Sequence, residues 1–163
     1  MTKEGKFGVC YSVVAILPII TGTDKAILRQ KTAPVSRVTK EILKLLKDME
    51  ETMEDAQGSG NALGIAAPQI GQSLRACLVR IDDKILPLVN PQITWKSNEQ
   101  DIMEEGCLSL PDIYVPVPRA LQINITYTDT KGKPQERGFE HLYARIIQHE
   151  LDHLDGIIIL DYI

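Results

Sequence analysis

The chain has 163 residues, 44% hydrophobic and 25% charged, the balance of a soluble globular protein with room for one core and little for a second. Lys and Arg number 18 against 22 Asp and Glu, a formal net charge of −4 that argues against a broad basic footprint for nucleic acid and its direct readout. Three cysteines at wide spacing (Cys10, Cys77 and Cys107) do not make a disulfide framework, so a reducing compartment is the simpler reading.

In chain order, the first apolar run is VVAILPII, residues 13–20. It is too short to cross a bilayer, and Pro18 interrupts it, so it reads as an entry strand or extended segment rather than a signal peptide or membrane anchor. Over residues 36–53, Val38, Ile42, Leu45, Leu46, Met49 and Met53 recur at helical spacing, with lysines and acids opposite. That spacing predicts an amphipathic helix capped by Ser36 or Thr39 and ended by QGSGN, residues 57–61. Residues 75–81 read as a buried strand, and Asp82 and Asp83 as a turn into a second strand over 84–89. Three prolines in residues 111–118 make that stretch extended and irregular, or a sheet edge. The clearest strand is LQINITYT, residues 121–128, where Leu121, Ile123, Ile125 and Tyr127 share one face. DTKGKP then turns it into residues 135–139, an antiparallel hairpin. A second helix starts near Phe139 or Glu140, runs to about Leu154 on apolar Leu142, Ile146, Ile147 and Leu154, and stops at Gly156; residues 157–160 are a candidate last strand. The pattern is α+β: antiparallel strands packed around a C-terminal metal-binding helix, with a long N-terminal helix.

Within the second helix, His149-Glu150-Leu151-Asp152-His153 has the form H-E-x-x-H. Two imidazoles four residues apart lie on one helical face and can meet a single ion, while Glu150, about 100° around from His149, can reach a water without being a ligand. Nitrogen ligands suit zinc, iron, nickel or cobalt rather than calcium or magnesium. A five-residue pattern also arises by chance, and two histidines on a helix can be idle. Two of the chain's three histidines fall in it, however, on a helix whose other residues look core-facing. A catalytic site needs three protein ligands and an open position. Cys107, in EEGCLSLP, is the candidate third, at a bend suited to close approach; its other reading is a small buried hydrophobe, which is the better reading for Cys77.

Three separated segments together resemble the peptide deformylase family: LGIAAPQIG at 63–71, EGCLS at 105–109 and QHELDHLDG at 148–156. Order and spacing match as well, and the likeness covers residues 16–161 within one domain over 1–163, with residues 1–15 an extension of unclear role. The resemblance implies removal of the formyl group from N-formylmethionyl nascent peptides, with release of formate. It implies Cys107, His149 and His153 as ligands of one divalent ion, most often Fe²⁺, with Zn²⁺, Ni²⁺ or Co²⁺ as substitutes. It implies Glu150 as general acid/base, and Gln69 with the backbone N–H of Leu108 as oxyanion donors. Leu63 and Ile146 are candidate lining residues for the methionine pocket, each also readable as core packing. Gly64 is a candidate for close approach of substrate backbone. Arg119 and Asp152 are candidates for an ion pair that steadies the ligand helix, and Glu105 for orienting a ligand; Arg119 and Glu105 could equally be surface charges.

The sequence departs from the family at Ala62, where glycine is usual two positions before Gly64, and it ends without the C-terminal helix or tail that mediates ribosome docking in some relatives. The expectation is therefore a cytoplasmic, bacterial-type monomer, organelle not excluded, with ribosome association by that route weakened. Three rival readings stay open on the residues: a metallopeptidase or other amidase, a closed structural zinc completed by Cys10, Cys77 or His141, and an inactive family member.

Overall fold

The computed structural model describes residues 13–56 and 62–163. Cys10, QGSGN and most of the N-terminal extension lie outside the described residues. Among the described residues, seven strands and two α-helices follow in the order α1 (Lys40–Ala56), β1 (Gly64–Ala66), β2 (Ala76–Ile81), β3 (Lys84–Lys96), β4 (Gln100–Cys107), β5 (Leu110–Ala120), β6 (Gln122–Thr128), β7 (Pro134–Glu140) and α2 (His141–Leu154). Five strands pair antiparallel in the order β1-β2-β3-β6-β7, and β4 pairs β5 in a separate hairpin. The class is α+β, as the pattern of elements predicts. No helix among the described residues is long and apolar enough to cross a membrane.

The two helices cover opposite faces of the larger sheet, and β2 shows how. Its alternate side chains divide between two cores. Cys77 and Val79 pack with Ile147, Leu151 and Leu154 of α2, whereas Ala76 and Leu78 pack with Leu46, Met49 and Met53 of α1. Both faces of β2 are therefore dry, which is why its sequence is a continuous apolar run rather than an alternation. Cys77 is fully buried, the small core residue that its sequence context suggests. A third cluster joins Leu110, Val115 and Val117 of β5 to Ile158 and Ile159 after α2.

Several boundaries differ from those expected, each for a local reason. Helix α1 begins at Lys40, as a Thr39 cap predicts and a Ser36 cap does not, because the preceding chain is clamped. Asn90 donates to the Val35 carbonyl at 2.7 Å and accepts from the Val35 amide at 2.8 Å, and Thr39 makes the cap contact to Ile42 at 3.4 Å. Residues 13–20 join no sheet. They are held by Ala15 N–H on Asp48, Leu17 N–H on Thr52 and Ile20 N–H on the Gln69 carbonyl. Strand β3 continues past Val89 because Asn90 adopts φ 50° and the ladder resumes after a register shift at Gln92. Strand β4 carries mostly exposed side chains, so it has no apolar periodicity to betray it. Leu142 is not a core residue of α2 but is nearly half exposed. Residues 157–160 do not form a strand: Asp161 accepts from the Ile158 amide at 2.9 Å and closes a 3₁₀ turn, Ile159–Tyr162.

Gly156 ends α2 at φ 76°, and a Cβ there would sit 2.7 Å from the Arg29 carbonyl carbon and 2.9 Å from the Gln30 amide nitrogen. Both the left-handed backbone and the contact demand glycine. Gly156→Ala should destabilise the protein by about 2–4 kcal/mol in urea unfolding, the sum of backbone strain and overpacking.

Candidate active site

At about 100° per residue, α2 divides into three sectors. Ala144, Ile147, Leu151 and Leu154 face the sheet and are buried in its core. Arg145, His149 and Asp152 form a second sector, turned toward Glu105 of β4 and Arg119 of β5. Ile146 and Glu150 line a cavity of about 560 Å³ together with His149, and His153 is buried outside its lining. Gln148 fixes the rotation of the helix: its side-chain amide donates to the Ala120 carbonyl at 2.9 Å and accepts from the Ala120 amide at 3.1 Å.

The β4–β5 hairpin brings Cys107 to the helix. Cys107 pairs with Leu110, so Leu108 and Ser109 form the turn, as the glycine before Cys107 and proline after the turn suggest. Ligand atoms of Cys107, His149 and His153 lie within 4.8 Å of one another, and the thiol sulfur is 3.2 Å from His153 Nε2. Burial, then the charge of His149, push the His153 imidazole well below its usual range, leaving it neutral with a lone pair to offer. His153 Nδ1 and Glu150 Oε2 are buried with no hydrogen-bond partner among the described residues. One soft sulfur and two imidazoles, with an orphaned carboxylate oxygen beside them, are a donor set that fits one metal ion of the kind that takes nitrogen and sulfur ligands. No fourth ligand joins the group among the described residues. Cys77 is buried in β2 and His141 is exposed at the start of α2, so neither completes a closed structural site.

A buried charge network orients this group. Glu105, only 7% exposed, accepts from His149 Nδ1 at 2.9 Å, from Arg119 Nε and Nη2 at 3.0 and 2.8 Å, and from Arg145 Nη1 at 2.7 Å. Arg119 also bonds Asp152. Burial pushes the Glu105 carboxyl up, but hydrogen bonds from Arg119 and His149 and the Arg119 charge outweigh it and hold it at about 2. Holding Nδ1 leaves His149 Nε2 as the free ring nitrogen, the usual arrangement of a ligating histidine. Both Arg119 and Glu105 are thus buried partners rather than surface charges. Arg145 was not anticipated, although its place four residues before His149 puts it on the ligand face. Tyr162 and Ser109 carried no comparable signal.

Gln69 sits in the 3₁₀ turn Ala67–Ile70 after β1, with Pro68 before it and Gly71 after it at φ 84°. Its carbonyl oxygen accepts from the Ala66 amide at 2.8 Å, which fixes the amide's orientation. Nε2 therefore points to Ser109 Oγ at 3.1 Å and Cys107 Sγ at 3.6 Å, into the site. Leu63, Gly64, Leu108 and Ile146 all line the same cavity, and Leu142 joins them. Gly64 stands directly against Glu150: a Cβ there would fall 2.7 Å from the carboxyl carbon. Burial first, then the charge of Glu105, raise the Glu150 carboxyl to about 7, against the opposing charge of His149.

Fold and site together define a metal-dependent hydrolase of the H-E-x-x-H kind, with a cysteine sulfur in the metal-binding group. The family model for polypeptide deformylase matches residues 16–163. The chain is 43% identical over 140 residues to a peptide deformylase of Synechocystis sp., covering 83% of this chain and 73% of that one. To the peptide deformylase of Chromohalobacter salexigens it is 44% identical over 139 residues, covering 83% and 79%. The peptide deformylase structure of Thermotoga maritima superposes with a TM-score of 0.85 at 35% identity, covering 91% of this chain and 97% of that one. A Met-Ala-Ser-bound class I type b peptide deformylase of Acinetobacter baumannii gives 0.85 at 34%, covering 93% and 100%. This chain belongs to the polypeptide deformylase family. Its activity is that of a peptide deformylase, removal of the formyl group from nascent peptides by metal-dependent hydrolysis.

Because Gly64 and Glu150 share one volume, Gly64→Ala should displace the carboxylate by about a side-chain radius. Formate release should then fall about 10²-fold in kcat, the usual cost of an ångström-scale misplacement. Steady-state kinetics beside far-UV circular dichroism will check that the loss comes without unfolding.

Proposed function

We propose that Cys107, His149 and His153 hold one divalent ion, ferrous iron in the native enzyme, and that Glu150, Gln69 and the Leu108 backbone N–H perform the chemistry on an N-formylmethionyl peptide. The observation that carries this reading is the convergence of a thiol and two imidazoles within 4.8 Å, beside a cavity walled by Glu150 and Gln69. When bound, such an ion supplies Lewis acidity that makes hydroxide available near neutral pH.

The chain's own residues do the rest. Glu150 accepts the proton of the attacking water as oxygen adds to the formyl carbon. As the carbon–nitrogen bond breaks, Glu150 passes that proton to the departing amine, so formate and a free methionyl terminus result. Its burial suits a group that must take up and give back a proton. Negative charge on the formyl oxygen is received by Gln69 Nε2 and the Leu108 N–H. Gln69 needs no reorganisation, since the Ala66 amide already aims it. Leu63, Ile146 and Leu142 offer the apolar wall that a methionine side chain requires. Strand β1 is an edge of its sheet, and Gly64 lets peptide backbone lie beside it as an added strand. Arg119, Asp152 and Glu105 act by orienting His149 and the helix that carries it. We further place this chemistry in one catalytic domain over residues 1–163, acting as a monomer in the cytoplasm.

Glu150→Ala should keep one equivalent of metal by elemental analysis while formate release falls to near background. Gln69→Ala should cost roughly 10²–10³ in turnover, the usual effect of one lost oxyanion donor. Retention of full activity by either variant would overturn its assigned role. Formyl-Met-Ala-Ser should be turned over and acetyl-Met-Ala-Ser left essentially intact. Anaerobic purification with metal analysis should find iron and an activity that decays in air. Air-stable activity with zinc bound would remove iron from the assignment.

A further inference from the structure

The 3₁₀ turn Ile159–Tyr162 ends on a phenol that reaches back to the ligand helix. The Tyr162 hydroxyl donates to Asp152 Oδ2 at 2.7 Å and accepts from Arg119 Nη1 at 2.9 Å. The Arg119 guanidinium also lies over the Tyr162 ring, 4.8 Å from its centre. From that guanidinium the contacts run without a gap through Glu105 to Nδ1 of His149. A second, shorter path runs from Tyr162 to Asp152, the residue before His153.

The turn that delivers the phenol is held from both sides. Arg29 bonds both carboxylate oxygens of Asp161, at 2.7 and 2.9 Å. Ile158 and Ile159 are buried against Leu110, Val115 and Val117. Tyr162 is thus presented by a fixed support, not by a loose tail. Its own surface is about one-third exposed, so it stands between the ion pair and solvent. Both N–H groups of Arg119 Nη1 are used, one on Asp152 and one on Tyr162. Without the phenol one of them loses its acceptor, the planar fork loses the ring it rests on, and water gains access to the pair.

We propose that Tyr162 is a positioning residue of the metal centre: by bonding and covering Arg119 and Asp152 it keeps the Arg119 fork on Glu105, and so keeps His149 oriented toward the ion. The inference rests on the reading of Cys107, His149 and His153 as ligands. Arg145 holds Glu105 independently, so loss of Tyr162 weakens the device without abolishing it. Tyr162 does not line the cavity, so its effect belongs to metal retention and turnover and not to peptide binding.

The test loads the wild type, Tyr162→Phe and Tyr162→Ala with Co²⁺ or Zn²⁺ and follows release of the ion to a chromogenic chelator. Tyr162→Phe keeps the ring and loses the hydroxyl, and should release metal about 3- to 10-fold faster. Tyr162→Ala should release it about 10- to 100-fold faster, the range for groups that orient a ligand. KM for formyl-Met-Ala-Ser should stay within about twofold. Leu46→Ala, on the buried face of α1 and remote from the network, supplies the control for plain destabilisation. It should lower the melting temperature and leave the release rate unchanged. Wild-type release rates in both Tyr162 variants would overturn the proposal, as would equal acceleration by Leu46→Ala. A wild type that holds no equivalent of either ion would instead overturn the ligand reading beneath it.

Discussion

One buried carboxylate organises the site. Glu105 receives two arginines and a ligand-face histidine on its two oxygens, in a place with almost no access to water. Three charges on one partner would be costly if any were missing. Breaking a buried pair by removing one member commonly costs about 3–5 kcal/mol, most of it the penalty of the charge left behind. Counted with Asp152, the cluster holds two arginines and two carboxylates, so it balances without any proton on His149. His149 nevertheless carries a proton here: burial lowers its imidazole, but its bonds to Cys107 and Glu105 outweigh that and raise it to about 10, so binding an ion must displace that proton.

The requirement that Glu105 meet α2 also explains the order of the elements. Glu105 and Cys107 lie two apart on one strand, so the same hairpin delivers the orienting carboxylate and the thiol. His149 and His153 lie four apart on one helix. Their relative geometry is therefore set by two rigid elements, and the one adjustable quantity is how those elements dock. Gln148 on Ala120, Arg145 on the Val117 carbonyl and Arg119 on Asp152 pin that docking at three points along β5 and α2. A loop could not hold the same atoms as tightly.

Much of this was legible in the sequence, and the reasons are physical. H-E-x-x-H on a helix offers two candidate ligands and a candidate base because helical spacing brings them together, although the pattern alone leaves chance as a rival. Cys107 could be offered as a third ligand from the bend of EEGCLSLP, with a buried hydrophobe as its rival reading, whereas Gln69 could be named only through the likeness of three motifs, since its loop meets the helix across about 80 residues. The alternation of residues 121–128 gave β6 directly, because one face is buried. Strand β4 gave no such signal, having nothing to bury on most of its length. Its partnership is with the β5 backbone, and its chemistry is concentrated in Glu105 and Cys107. Leu142 looked like core because composition cannot tell the wall of a cavity from an interior. Arg145 was readable in principle from its register with His149, but a charged residue on a helix usually points to water. Tyr162 was not readable at all, because its contacts depend on a 3₁₀ turn that an apolar run disguised as a strand.

The two glutamates of the site show how much of the chemistry lies in placement rather than residue type. Glu105 and Glu150 are similarly buried, 7% and 4% exposed. Glu105 is surrounded by donors and held at about 2, so it never gives up its charge at physiological pH. Glu150 has an oxygen with no partner and lies against the bare backbone of Gly64, and burial lifts it to about 7. In the proposed mechanism Glu105, which orients a ligand, must hold its charge permanently, and Glu150, which carries a proton, must be nearly indifferent to it. The sequence therefore specifies the catalyst less through its glutamates than through what stands beside them: two arginines at 119 and 145, and the absence of a side chain at 64.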